Sequence, residues 1–177
     1  MAAMQKRLAI IFGLLIGAMW MGEVLLGNLA GTSVLGNLRD FHPSIYALAP
    51  LLAWGAVAVT AMGGLVAAYR TGSIGVALRV GLWSGLISGA ITLAVGMSLV
   101  LFFHDAMMKD PSNIHEFARS AHRVPSEAEL SRFLYWDMLG GGLNHMWIGP
   151  LLGVTVGGIA AVGGKHLRRS DERAQSN

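Results

Sequence analysis

Three stretches of this chain, 46–68, 80–103 and 139–162, carry no Asp, Glu, Lys or Arg, and a fourth, 8–29, carries only Glu23. Apolar runs of this length constrain a fold more than any motif. At ~1.5 Å per residue, ~20 residues cover the ~30 Å hydrocarbon core of a bilayer. Inside lipid every backbone N–H and C=O must pair within the protein, so each run defaults to a helix. The pattern predicts an all-α integral membrane protein, a four-transmembrane-helix bundle occupying 1–165. An outer loop spans 104–138 between the third and fourth helices, and 166–177 reads as a polar, mobile cytoplasmic tail.

Charge supports this reading. Charged residues are 13% of the chain, against ~25% in soluble domains. That is too little to cover a water-facing surface. The pI near 9.7 does not signal nucleic acid, because the basic residues flank apolar runs rather than forming one basic face. With no cysteine, disulfides, thiolate nucleophiles, Cys-ligated zinc and iron–sulfur clusters are excluded.

The first run has the basic start of a signal peptide, Lys6-Arg7, but its apolar stretch continues through Trp20 and Leu25-Leu26. Its one cleavage-like site, Asn28-Leu29-Ala30, begins with a poor residue, so an uncleaved helix is expected. Orientation follows Lys and Arg. An inner N-terminus places Lys6, Arg7, Arg70, Arg79, Lys165, Arg168, Arg169 and Arg173 inside, in short segments. Arg39, Lys109, Arg119, Arg123 and Arg132 then fall outside, mostly in one acid-containing loop. Both termini are expected in the cytoplasm, with a bacterial inner membrane as the compartment.

Small residues recur every fourth position: Gly13 and Gly17; Ala56, Thr60, Gly64 and Ala68; Gly81, Gly85 and Gly89; Gly149, Gly153, Gly157 and Ala161. Such rows let helix backbones approach closely where lipid offers no hydrophobic drive. They serve either one tight internal bundle or a homo-oligomer or membrane partner. No internal repeat supports an inverted-repeat transporter.

The outer loop has its own pattern. A helix start at Pro111-Ser112 is followed by Ile114, Phe117, Ala118 and Ala121 at helical spacing, and Pro125 ends it. Ser126 and Glu129 form a capping-box pair, after which Leu130, Phe133, Leu134, Asp137 and Met138 share a face. Two short amphipathic helices on the outer membrane surface are predicted. Tyr135, Trp136 and Trp147 suit the interface. Gly140-Gly141-Gly142 is expected to break or bend the entry into the fourth span, and Pro150 to kink that span further in.

Histidine placement narrows the chemistry. Of the six, His42, His104, His115, His122 and His145 fall on the outer side, and only His166 inside. Glu23 lies six residues from the outer end of its run, ~9 Å deep. An ionisable group in a span costs a few kcal/mol and by default marks a site. The candidate polar site is Glu23, His42, His104, Asp105, Asn144 and His145, with Asn28 as a further partner for Glu23. Imidazole plus carboxylate suits zinc, iron, copper or nickel, with Glu23, His104 and His145, joined by His42, as ligand candidates. No cofactor is required by the sequence. Met107, Met108 and Met146 suggest copper only weakly, because methionine is common in apolar spans.

Other signatures fail. Arg119 stands where the zinc-protease pattern begun by His115-Glu116 needs its second histidine. His115 and His122 lie ~10 Å apart along one face, and no motif supports Ser-His-Asp catalysis. Three functions remain. The least demanding is a non-enzymatic accessory or interaction protein acting through its outer, periplasmic face. The second is a membrane oxidoreductase or a metal- or haem-binding protein using Glu23, His42, His104 and His145. The third is an oligomeric proton-coupled carrier using Glu23.

Overall fold

The computed structural model describes residues 2–30, 32, 34 and 45–176; His42, Arg39 and Asp40 lie outside them. The elements are α1 (Ala2–Leu29), α2 (Ile45–Thr71), α3 (Ile74–Phe102), α4 (His104–Met108), α5 (Pro111–Ala121) and α6 (Glu127–Ser176). Among the described residues there is no strand. Four helices, α1, α2, α3 and α6, are long and apolar enough to cross a membrane.

Local chemistry sets the joints. Gly72 takes a positive φ of 70° between α2 and α3, a conformation that glycine adopts without a Cβ penalty. Ser73 then caps α3 by accepting a hydrogen bond from the Val76 N–H. Asp110 caps α5 by accepting from the Ser112 N–H, with Pro111 opening the helix where its missing N–H costs nothing. His122 closes α5 in the left-handed region, at φ 56°. Ser126 donates both its N–H (3.0 Å) and its hydroxyl (2.8 Å) to Glu129 Oε2 at the head of α6.

The loop and the fourth span differ from expectation. The first amphipathic helix exists as α5, but the second is the opening of a single 50-residue α6, ~75 Å long. Neither Gly140-Gly141-Gly142 nor Pro150 interrupts it. Each glycine costs ~1 kcal/mol of helix propensity. Leaving the helix there would strand backbone groups at the edge of the apolar layer, which is worse. Gly142 is also buried against Leu93 of α3. At its other end α6 continues to Ser176, so the expected mobile tail is helical instead. It docks on the end of α2: Arg168 Nη1 donates to the Arg70 carbonyl (3.2 Å), and the Tyr69 hydroxyl donates to Asp171 (2.8 Å).

In the interior α6 packs along α3 and α2, and α1 packs along the same two helices. The contact of α3 with α6 is backbone on backbone. A methyl built on Gly81 would fall on the Gly153 carbonyl, and one on Gly153 would fall on that of Gly81. Gly85 and Gly149 repeat this one turn away, and a methyl on Gly64 of α2 would meet the Gly157 carbonyl. Gly13 and Gly17 of α1 seat Ile87 and Ile91 of α3. The small-residue rows therefore face one another within the chain. Buried hydroxyls beside them bond within their own helices: Ser84 to the Gly81 carbonyl (3.0 Å), Ser88 to Gly85 (3.0 Å), Thr92 to Ser88 (2.9 Å) and Thr60 to Ala56 (2.8 Å).

A second core lies at the far end. Leu29, Leu99, Val100, Met107, Leu130, Leu134 and Met138 are buried together, with Ile114, Phe117 and Phe133 packed against them. The Phe117 and Phe133 rings meet edge to face at 5.5 Å. The apolar stripe of α5 is thus covered by α6, where the sequence suggested that it would rest on lipid headgroups. Elsewhere large apolar side chains point outward: Trp147 is 80% exposed, Ile159 76% and Trp54 72%. Soluble monomers rarely expose apolar surface on this scale.

Candidate functional site

Two groups of polar side chains stand out, and the structure separates residues that the sequence grouped together.

The first group joins α1 to α6. Gly89 of α3 lies against the backbone of His145 and Met146, which seats α6 at this level. The His145 ring meets Trp20 of α1 edge to face, with centroids 4.6 Å apart. Trp20 is buried, so it spans the interior between helices whose backbones scarcely approach. Glu23, one turn beyond Trp20, is half-buried and lies within electrostatic reach of His145. The Nδ1 of His145 is 2.8 Å from the Gly141 carbonyl. A carbonyl only accepts, so Nδ1 carries the hydrogen and neutral His145 presents Nε2 as its basic nitrogen. Asn28 and Asn144 do not join the pair. Asn28 donates to the Val24 carbonyl of its own helix (2.8 Å), and Asn144 is exposed.

The second group centres on His104. Its Nε2 is 2.9 Å from Ser131 Oγ of α6, and its ring lies 5.8 Å from that of Tyr135. Asp105 Oδ1 is 3.6 Å from Nδ1, beyond hydrogen-bond length. The order Asp105–His104–Ser131 resembles a hydrolytic triad. However, the Asp105 side chain is 97% exposed and does not orient the imidazole. The Ser131 contact ties α4 to α6. Ser131 and Tyr135 precede His145 by fourteen and ten residues, which is ~15–21 Å along the helix. His104 therefore belongs to a separate level from Glu23 and His145. Among the described residues no group of three or more His, Asp or Glu side chains is placed to hold a metal.

His104 also lines a cleft of about 490 Å³ at this end of the bundle, together with Asp105, Met108, Lys109, Ile114, Val124, Pro125, Ser126, Glu127 and Leu130. The walls carry both signs of charge above an apolar floor. Their rim is braced by Arg123, which grips both carboxylate oxygens of Glu129 and stacks 5.7 Å from the Phe117 ring. Ten residues before the apolar run of α6, these bonds and those from Ser126 hold the Glu129 carboxyl well below the usual carboxylate range. His115 and His122 are exposed.

Sequence reasoning missed three residues of this region. Asp110, next to the cleft residue Lys109, is buried, and its carboxylate accepts from the Ser112 hydroxyl (2.5 Å) as well as the N–H. Asn113 is buried and donates to the Met107 carbonyl at the end of α4 (2.8 Å). Ser131 is the third. Asp110 was discoverable as the capping residue before Pro111. The other two act between elements and carry no local signal. No protein-family model, curated protein or solved structure matches this chain.

Proposed function

We propose that the chain is a polytopic membrane protein of a bacterial inner membrane that works as an accessory or interaction protein through its outer face. The helices α1, α2, α3 and α6 cross the bilayer as one bundle, with both ends of the chain in the cytoplasm. Clustering of Lys and Arg at the end holding Lys6, Arg7, Arg70 and Arg168 supports that orientation. The observation that carries the functional reading is the outer cap. It has a core of its own, polar ties between elements and a cleft of about 490 Å³ with mixed charge. Along α6, glycine lets the backbones of α3 and α2 pack in direct contact.

The absence of cysteine makes the test direct. A single cysteine in place of Ser126 should react with a membrane-impermeant maleimide from outside, and one in place of Ser170 only after permeabilisation. The reverse pattern would overturn the orientation. A photo-crosslinking residue at Glu127 should give one discrete adduct in native membranes, while the same residue at lipid-facing Ile159 gives none. A protein with no adduct from the cap, purified with stoichiometric metal or a haem Soret band, would belong to the oxidoreductase reading instead.

The Glu23–His145 apposition favours a second reading, a proton-coupled carrier. Two titratable groups at matching depth, ~9 Å from the outer ends of their runs, are suited to holding a proton between helices. Transport unaffected by Glu23→Gln would end that reading.

A further inference from the structure

The inner end of the bundle carries a feature that the outer-cap function does not use. Arg7 of α1 and Arg70 of α2 line one cleft of about 560 Å³, whose other walls are Ala3, Met4, Leu8 and Ile11. Both arginines are exposed, and among the described residues no carboxylate lines the cleft. The acids that α6 brings to this end are engaged elsewhere: Glu172 pairs with Arg168 at 2.7 Å, and Asp171 accepts from the Tyr69 hydroxyl.

Two guanidiniums sharing a cleft repel one another unless an anion sits between them, and their planar donor forks match phosphate oxygens. The floor makes the opposite demand. Leu8 at the base of the cleft is buried, and Ile11 continues toward Leu15 on the same side of α1, where Ile11 is 52% and Leu15 48% exposed. A ligand that satisfies both has an anionic phosphodiester head and an apolar chain running along the helix. Basic pockets between membrane helices recognise anionic headgroups in this way.

We propose that the α1–α2 cleft is a binding site for an anionic phospholipid, with the phosphodiester on Arg7 and Arg70 and an acyl chain along Ile11 and Leu15. The site rests on the membrane reading but not on the orientation or on the function of the cap. A neighbouring groove between α1 and α3 supplies an internal control. It is lined by Gln5, Lys6, Ala9, Ile10, Trp83 and Ile87 and has one cation.

The test is native mass spectrometry of the full chain in mild detergent, offering phosphatidylglycerol and phosphatidylcholine of identical acyl chains. Two interfacial cations set the expected preference for phosphatidylglycerol at about thirtyfold. Arg7→Gln with Arg70→Gln should bring the ratio near unity, each single change should reduce it about fivefold, and Lys6→Gln should leave it unchanged. Circular dichroism confirms that each variant is folded, and the single changes serve if the double variant is not. Equal binding of the two lipids by the wild type overturns the proposal. So does a preference that survives loss of both arginines, or one abolished equally by Lys6→Gln. Failure of the membrane reading has a separate signature: release of the chain from membranes by carbonate without detergent.

Discussion

Two regions of the α3–α6 contact are built by opposite means. In the middle, Gly81 and Gly85 meet Gly149 and Gly153 with nothing between the backbones, and nearby hydroxyls turn back onto their own helices. At the far end, the same two helices pack through Leu99, Val100, Leu134 and Met138; Ser131 ties α6 to α4, and Asn113 ties α5 to α4. The seam is specified by what is absent, so any added atom meets a carbonyl. The cap is specified by what is present, so removing atoms weakens it by degrees. A solvent without hydrophobic drive suits the first arrangement, and contact with water suits the second.

The largest effect should come from breaking the seam. Gly81→Leu places a branched side chain where even a methyl collides with the Gly153 backbone, and backbone yields less readily than a flexible side chain. A loss of more than ~4 kcal/mol is expected, read as failure to purify as a monodisperse folded protein in detergent. Gly163→Ala is the contrasting change. Nothing lies within 4 Å of its added methyl, so it should be neutral or stabilise the helix by up to ~1 kcal/mol. Comparable behaviour of the two variants would show that the close contact does not set the packing.

Cap truncation comes next. Leu134 is 1% exposed within the second core, so Leu134→Ala should cost about 2–5 kcal/mol. The loss should be local. Amide exchange is expected to rise in α4, α5 and the head of α6 while the α3–α6 seam stays protected. Uniform deprotection along the whole chain would mean that cap and seam form a single cooperative unit.

These two regions were not equally legible in the sequence. Four-residue spacing announced the seam, because close helix contact in lipid demands small residues at that period. It could not say which row faces which; that follows from pairing Gly81 with Gly153. The cap was legible as helical pattern but misread as surface. The stripe of Ile114 and Phe117 looks the same whether it meets lipid headgroups or Phe133, since periodicity marks a face and not its partner. The helix break at Gly140-Gly141-Gly142 was misread for a related reason. Propensity is local, whereas the cost of unpaired backbone depends on the surroundings. The Glu23, His104 and His145 grouping relied on depth alone, and the continuous α6 places its contacts to His104 and the ring of His145 several turns apart.

A smaller effect should separate polar ties from apolar packing within the cap. Asn113→Leu keeps bulk but removes the donor to the Met107 carbonyl. That carbonyl keeps the Asp110 N–H at 3.2 Å, so losing the side-chain donor should cost ~0.5–1.5 kcal/mol. Thermal unfolding should fall by less than for Leu134→Ala, while Asn113→Ser should recover part of the difference only if a water or the shorter hydroxyl reaches the carbonyl. Equal losses in the leucine variant and in Leu134→Ala would make the polar tie as important as the apolar core.

The smallest effect lies at the rim and depends on pH. Glu129 is held by Arg123 and Ser126, and its folded pKa is depressed from the ordinary 4.5. A depressed acid contributes stability that is fully present above its unfolded value and is lost as pH falls through the folded one. The stability difference between wild type and Glu129→Gln should therefore be flat from neutral pH down to about 5 and shrink only below about 4.5. Both partners are exposed, so the difference should be small and should diminish further in high salt. A difference that vanished near neutral pH would show that the Arg123–Glu129 contact is not what lowers the carboxyl. Unchanged stability in Glu129→Gln at neutral pH would leave the cap resting on Leu134, Met107 and Asn113, with the rim acting only to shape the mouth of the cleft.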